Sequence, residues 1–250
     1  MKKRIPCILL ILCLLFSLSA ASAETERGDL TARFSNEQTV VYESVNYRVK
    51  NRMATMVFLI VDEDAAPAEQ IWMMGILSVD DTLKQIHPLF LDPRTLAEDE
   101  SLLYDVFAAG ETLEERCVQL VEKINLLLPH PILKDYLALK IEGLDILDGG
   151  VENASPATLK QRLKDIKRSM EASGTNDLMD VFDKLSAYIE TNMKTGAVVR
   201  IGDKTEYYTI LPSQSITGEE KALHEKTAVV LNADALLPLY INAFYEEKIW

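Results

Sequence analysis

The stretch Met56–Asp80, M-V-F-L-I-V-D-E-D-A-A-P-A-E-Q-I-W-M-M-G-I-L-S-V-D, decides the fold class. Met56–Val61 is an unbroken apolar run, and Ile71–Val79 is a second one. Runs without polar alternation mark strands covered on both faces, so two neighbouring central strands are expected here. The first ends on Asp62 and the second on Asp80, with a short loop between them.

Working outward, Ile86–Leu91 reads as a third strand. Pro88 cannot donate to a ladder, which suits an edge or a strand start. Upstream, Thr39–Tyr42 and Tyr47–Val49 flank Glu43–Asn46 as a hairpin. Downstream, Thr112 and Glu115 form a capping box, and Leu113, Cys117, Leu120, Val121, Ile124 and Leu128 line one helix face. Tyr136–Ile141 reads as another strand. Ser155-Pro156 opens a helix with Leu159, Leu163, Ile166 and Met170 inward, and Leu178, Phe182, Leu185 and Ile189 repeat that spacing. Tyr207–Leu211 reads as a late strand, Pro212–Thr227 as a polar loop and Asn232–Glu246 as a terminal helix. Strands alternate with helices, which predicts the α/β class, most simply a central sheet covered on both faces.

The first residues form a targeting signal. Lys2, Lys3 and Arg4 precede the apolar run Ile5–Leu18, and Ala21-Ser22-Ala23 supplies the small residues of a cleavage site. Fourteen apolar residues fall short of the ~20 that a spanning helix needs. Residues 1–23 are therefore expected to be removed as a signal peptide, with an uncleaved anchor as the alternative. Residues 24–38 are polar and read as a flexible lead into one domain, residues 39–250.

Losing the three positive charges of the signal takes the formal net charge from −13 to −16. Such a charge disfavours nucleic acid and anionic membrane surfaces as partners. Cys7 and Cys13 leave with the signal, so Cys117 stands alone and no internal disulfide forms. A secreted chain without such a staple relies on its core, which suits a bacterial envelope.

Several chemistries lack their motifs: there is no G-x-S-x-G, P-loop, G-x-G-x-x-G or H-E-x-x-H. His87, His130 and His224 are far apart, which argues against a joint metal site. Cys117 lies on an apolar helix stripe and reads as a buried, inert thiol.

Three segments carry a resemblance by their order and spacing. Met56–Asp80 is the first. Ile86–Leu96 (IHPLFLDPRTL) closes a strand on Pro93-Arg94. Leu120–Val151 leads through a Tyr-led strand into Gly149-Gly150-Val151, where the glycine pair ends a short helix starting near Leu144. This order resembles the LytR-CpsA-Psr family of bacterial envelope proteins, which implies an α/β three-layer α/β/α sandwich with a central mixed sheet. There a strand ends in G-x-D, the next begins near S-D-T, the third ends in I-P-R-D, and a helix closes on G-G-V.

The resemblance implies a protein outside the cytoplasmic membrane, handling a glycopolymer carried on a polyprenyl pyrophosphate, with Mg²⁺. Family members transfer that glycopolymer to peptidoglycan. Guanidiniums hold the pyrophosphate bidentately, carboxylates hold the metal, and an apolar tunnel takes the lipid. Carried over, Asp62 and Glu69 become the metal carboxylates, Asp62 and Arg94 the catalytic pair, and Arg94 the pyrophosphate ligand.

Departures are numerous. Ile60 and Val61 replace glycines, Asp64 stands where arginine is common, and Thr95 replaces the aspartate after Arg94. The arginine-rich segment expected after G-G-V is missing. The one basic cluster, Lys160, Arg162, Lys164, Lys167 and Arg168, is either a solvated helix face or a rebuilt anion site led by Lys160 and Arg162. Three readings follow. One is a family member that has kept the fold and binds with little or no catalysis. The second is a divergent Mg²⁺-dependent phosphotransferase, and the third is a secreted α/β binding module.

Overall fold

Strands β3 (Met53–Val61) and β4 (Ile71–Asp80) pair antiparallel, from Met53 opposite Asp80 to Val61 opposite Ile71. Along β3, Val57, Leu59 and Val61 enter one apolar core, while Met56, Phe58 and Ile60 enter a second. Adjacent side chains of a strand point to opposite faces. A strand with a core on each side therefore has no position for a polar residue, which explains the unbroken run. The computed structural model describes residues 39–97, 99–144, 185–204 and 207–248.

The central sheet has the order β7-β6-β3-β4-β5-β8, with β9 also on β5. Here β5 is Gln85–Leu91, β6 Asp135–Lys140, β7 Ile189–Thr191, β8 Thr209–Ile210 and β9 Gln214–Ile216. β6 runs parallel to β3, and β8 and β9 run parallel to β5; the remaining pairs are antiparallel. The sheet is thus mixed: β3, β4 and β5 form an antiparallel meander, to which β6, β8 and β9 are added in parallel.

Gly75 sits in register between Phe58 on β3 and Phe90 on β5. The two rings meet edge to face across it, with centroids 5.5 Å apart. A Cβ at position 75 would lie 2.4 Å from Phe58 Cζ and 2.5 Å from Leu89 O, so only glycine fits.

The edge or strand-start position expected for Pro88 is corrected: β5 is an interior strand and Pro88 lies in its middle. The main-chain N–H of Leu211 donates to Ile86 O, so even-numbered residues of β5 turn their backbone toward β8 and β9. β8 pairs with Gln85 and Ile86, and β9 with Leu89–Leu91. Pro88 falls in the gap between these two short strands, where its missing N–H breaks no bond.

One face of the sheet is covered by α1 (Leu103–Ala109), α2 (Leu113–Leu126) and α4 (Ala233–Phe244). α2 starts at the predicted capping box: Thr112 accepts from the Glu115 N–H, and Glu115 accepts from the Thr112 N–H. The other face is covered by α3 (Thr195–Lys204), through Val198 and Ile201, together with Leu144 and Leu185. Neither α1 nor α3 was anticipated. Among the described residues, no helix is long and apolar enough to cross a membrane.

The predicted N-terminal hairpin is β1 (Thr39–Tyr42) and β2 (Val45–Val49), closed by a two-residue turn at Glu43-Ser44 with φ of 48° and 66°. Three further readings need correction. Pro212–Thr227 is not a loop: it contains β9, β10 (Gly218–Leu223) and the turn into β11 (Lys226–Leu231). β10 is solvent-exposed along most of its length, so its residues carry no apolar period to betray a strand. The terminal helix stops at Phe244, because the chain then extends as β12 (Tyr245–Glu247) and pairs with β2. Ile189 belongs to β7 rather than to a helix, although Leu185 is buried as expected. The signal segment, the Gly149-Gly150 pair and the helix from Ser155 to Met170 lie outside the described residues.

Candidate functional site

β3, β5 and β6 all run in one direction, so their carboxyl ends meet at one edge of the sheet. Ligands of open α/β sheets commonly sit outside that edge. Asp62 follows β3, Lys140 closes β6, and Asp92 to Arg94 follow β5. Phe58 and Phe90 share one row through Gly75, so β3 leads into Asp62, and β5 into the Asp92–Thr95 turn that carries Arg94, on the same side of the sheet. With one strand between them, the β3 and β5 main chains are about 10 Å apart.

The acidic loop 62–70 is closed on itself. The Asp62 N–H donates to Gln70 O at 2.8 Å, and Asp62 Oδ1 accepts the Asp64 N–H at 3.1 Å. The Gln70 side chain, 7% exposed, donates to Glu63 O and Ala65 O from inside the loop. Glu69 ends the 3₁₀ turn Pro67–Glu69 and is exposed, as is Asp64. Asp62 and Glu69 supply hard oxygen donors of the kind Mg²⁺ takes alongside substrate phosphates. Among the described residues, no group of three or more His, Cys, Asp or Glu is placed to hold a metal ion.

Lys140 forms an ion pair with Glu63. The hydrogen bond that Lys140 donates to the Glu63 carboxylate pushes its ammonium pKa up, and burial only partly offsets it. Sequence reasoning missed this cation. Its signal was register: with the Tyr-led strand parallel to β3, Lys140 stands opposite Val61, beside the acidic loop.

Arg94 is held from two sides. Its Nε donates to Asp92 Oδ1 at 3.1 Å and its Nη2 to Asp92 Oδ2 at 2.8 Å, while Nη1 meets Glu220 Oε1 at 2.9 Å. The Asp92 bonds push the guanidinium pKa up. Burial alone would raise the Asp92 pKa, but the side-chain and main-chain hydrogen bonds of Arg94 and its charge outweigh this and hold it low. Thr95, fully buried, donates from Oγ1 to Asp92 O at 2.7 Å and so ties the turn that aims Arg94. Beside Arg94 is a cavity of about 340 Å³ lined by Phe90, Leu91, Ser215, Ile216, Thr217 and Val229.

The structure thus places Asp62, Glu69 and Arg94 at one sheet edge, with Asp92, Glu220 and Lys140 added to them. Lys160 and Arg162 lie outside the described residues. Cys117 is fully buried, and burial pushes its thiol up to about 12, which suits packing rather than nucleophilic attack.

A larger cavity, about 690 Å³, opens at the opposite edge of the sheet. Its floor is the buried Lys50–Asp80 pair. Lys50 Nζ meets Asp80 Oδ2 at 3.0 Å and donates to Asn242 O and Ala243 O, and Asp80 Oδ1 accepts from the Thr82 and Leu83 N–H groups. These bonds use the three ammonium protons and engage both carboxylate oxygens, so the floor serves the fold.

No family model matches the sequence, and no curated protein matches it. Solved structures do share its fold. TagV of B. subtilis superposes with a TM-score of 0.56 over 78% of this chain and 96% of its own, at 14% identity. A transcriptional regulator from Enterococcus faecalis gives 0.55 over 77% and 86%, also at 14% identity. TagT bound to LI-WTA gives 0.54 over 77% and 91%, at 10% identity. At such identities the likeness is one of fold, and that fold is the LytR-CpsA-Psr fold.

Proposed function

We propose that this chain is an extracytoplasmic envelope protein that binds a polyprenyl-phosphate-linked glycopolymer and transfers it little or not at all. Residues 1–23 are removed as a signal peptide, and residues 39–250 form the binding domain. TagT's complexes with wall teichoic acid precursors support lipid-linked glycopolymer as the ligand class.

The observation that carries the reading is the state of Arg94. A pyrophosphate clamp needs guanidiniums with free donors converging on one point. Here three of the five N–H donors of Arg94 are taken, two by Asp92 and one by Glu220. Lys140 at the same edge is engaged by Glu63. Losing even one preorganised donor costs on the order of 100-fold in rate. An edge at which Arg94 and Lys140, among the described residues, each already have a carboxylate suits weak capture better than stabilisation of developing charge.

The alternative is a divergent phosphotransferase. Asp62 and Arg94 at one sheet edge favour it, with Asp62 and Glu69 holding Mg²⁺ and Arg94 on the pyrophosphate. Mg²⁺ would there neutralise the leaving group.

Thermal-shift titration of residues 24–250 with farnesyl pyrophosphate, with and without Mg²⁺, tests the binding claim. A saturable rise in Tm that Arg94→Ala removes is expected. A flat response at millimolar ligand would refute the reading.

A further inference from the structure

Glu220 reaches Arg94 by a closed path. The carbonyl of Arg94 accepts the Val229 N–H at 2.9 Å, and Val229 O accepts the Leu96 N–H at 2.9 Å, which adds β11 to the Arg94 segment. Val229 in turn pairs with Glu220 across the β10–β11 hairpin. The side chain of Glu220 then returns to Nη1 of Arg94. A Cβ on Gly218 would lie 2.3 Å from Val230 O, so the start of β10 is pressed against β11 as only glycine allows. The main-chain ladder therefore fixes the backbone of Glu220 within side-chain reach of Arg94.

A guanidinium offers a side edge, Nε with one terminal nitrogen, and an end edge formed by the two terminal nitrogens. Asp92 fills the side edge bidentately. Glu220 sits on the nitrogen that completes the end edge, above the 340 Å³ cavity both residues line. An incoming phosphate has that end edge to bind, and Glu220 is in its place with the same sign of charge.

Resting on the phosphate-binding reading of Arg94, we propose that Glu220 is a built-in competitor. It occupies the anion-binding end of Arg94 and sets the affinity of this pocket for phosphorylated ligands. Binding a phosphoryl group displaces the Glu220 carboxylate from Nη1, while Asp92 keeps the guanidinium aimed. Glu220 and Arg94 are partly exposed, so the pair is weak enough to open. Neutralising Glu220 removes both the competitor and a like charge next to the ligand.

The test is titration of the full chain with inorganic pyrophosphate, comparing wild type, Glu220→Gln and Glu220→Gln/Arg94→Ala. Phenylglyoxal labelling of Arg94, read by peptide mass, runs in parallel. Glu220→Gln is expected to tighten pyrophosphate about tenfold and to speed Arg94 labelling, and the added Arg94→Ala to abolish binding. Equal affinity in wild type and Glu220→Gln, both lost with Arg94, would overturn the competitor role and leave the phosphate reading intact. No pyrophosphate binding by Glu220→Gln, with farnesyl pyrophosphate still raising Tm, would overturn the proposal and move the ligand away from Arg94. No response to either ligand would overturn both.

Discussion

Lys50 Nζ lies 3.0 Å from Asp80 Oδ2, with the side chains 5% and 2% exposed, and the pair joins the sheet to the last turn of α4. Lys50 also donates to the carbonyls of Asn242 and Ala243, where a cation favours a helix end.

Removing one partner leaves the other charge buried, so Lys50→Met should cost about 3–5 kcal/mol in urea denaturation. The Asp80 pKa, which burial alone would raise, is lowered by the Leu83 N–H, the Lys50 bond and the Lys50 charge. A depressed carboxyl stabilises the fold above its unfolded value of about 3.9 and loses that contribution as pH falls through the folded value. Asp80→Asn should therefore flatten the acid limb of the stability curve below about pH 4. A loss under 1 kcal/mol for Lys50→Met would show that the pair is not buried as described.

His87 faces the same ion pair. Burial, then the charge of Lys50, lowers its pKa to about 4, against a smaller opposing effect of Asp80. A histidine depressed from its unfolded value of about 6.5 favours the fold fully above pH 6.5. That contribution fades as pH falls through about 4. His87→Gln should remove the slope between those values while leaving stability at pH 8 little changed. An unaltered slope would mean that His87 is open to water.

Gly75→Ala should destabilise by about 1–3 kcal/mol or more, since the new Cβ meets both the Phe58 ring and the Leu89 carbonyl. Adding Phe58→Leu clears the ring and not the carbonyl, so rescue should be partial. Full rescue would show that the main chain yields at this crossing.

The central strands were legible because burial on both faces leaves a continuous apolar run, as in MVFLIV and IWMMGILSV. The capping box of α2 was legible because it is a local chemical pattern. The β10–β11 hairpin was not, since β10 is held by main-chain bonds and carries exposed residues such as Glu219 and Glu220. Much of the site was hidden for the same reason. Asp62 and Arg94 lie at strand ends, where the resemblance to the family's strand-end motifs pointed to them. Glu220 and Lys140 reach the site through strand pairing, which sequence spacing does not encode.

The turn at Glu43-Ser44 has positive φ at both residues, a geometry that Asn-Gly satisfies with less strain. Glu43→Asn with Ser44→Gly should stabilise the chain by about 0.5–1 kcal/mol. A drop in Tm would mean that the pair is held there by contacts beyond the turn.

The central claim, capture without transfer, is tested most directly by incubating residues 24–250 with a labelled polyprenyl-pyrophosphate-linked glycan, peptidoglycan and Mg²⁺, and measuring bound lipid and labelled peptidoglycan together. The expected result is saturable retention of intact lipid-linked glycan, lost in Arg94→Ala, with label in peptidoglycan at the level of a protein-free blank. Mg²⁺-dependent labelling of peptidoglycan that disappears in Asp62→Ala would contradict it and establish the chain as an enzyme.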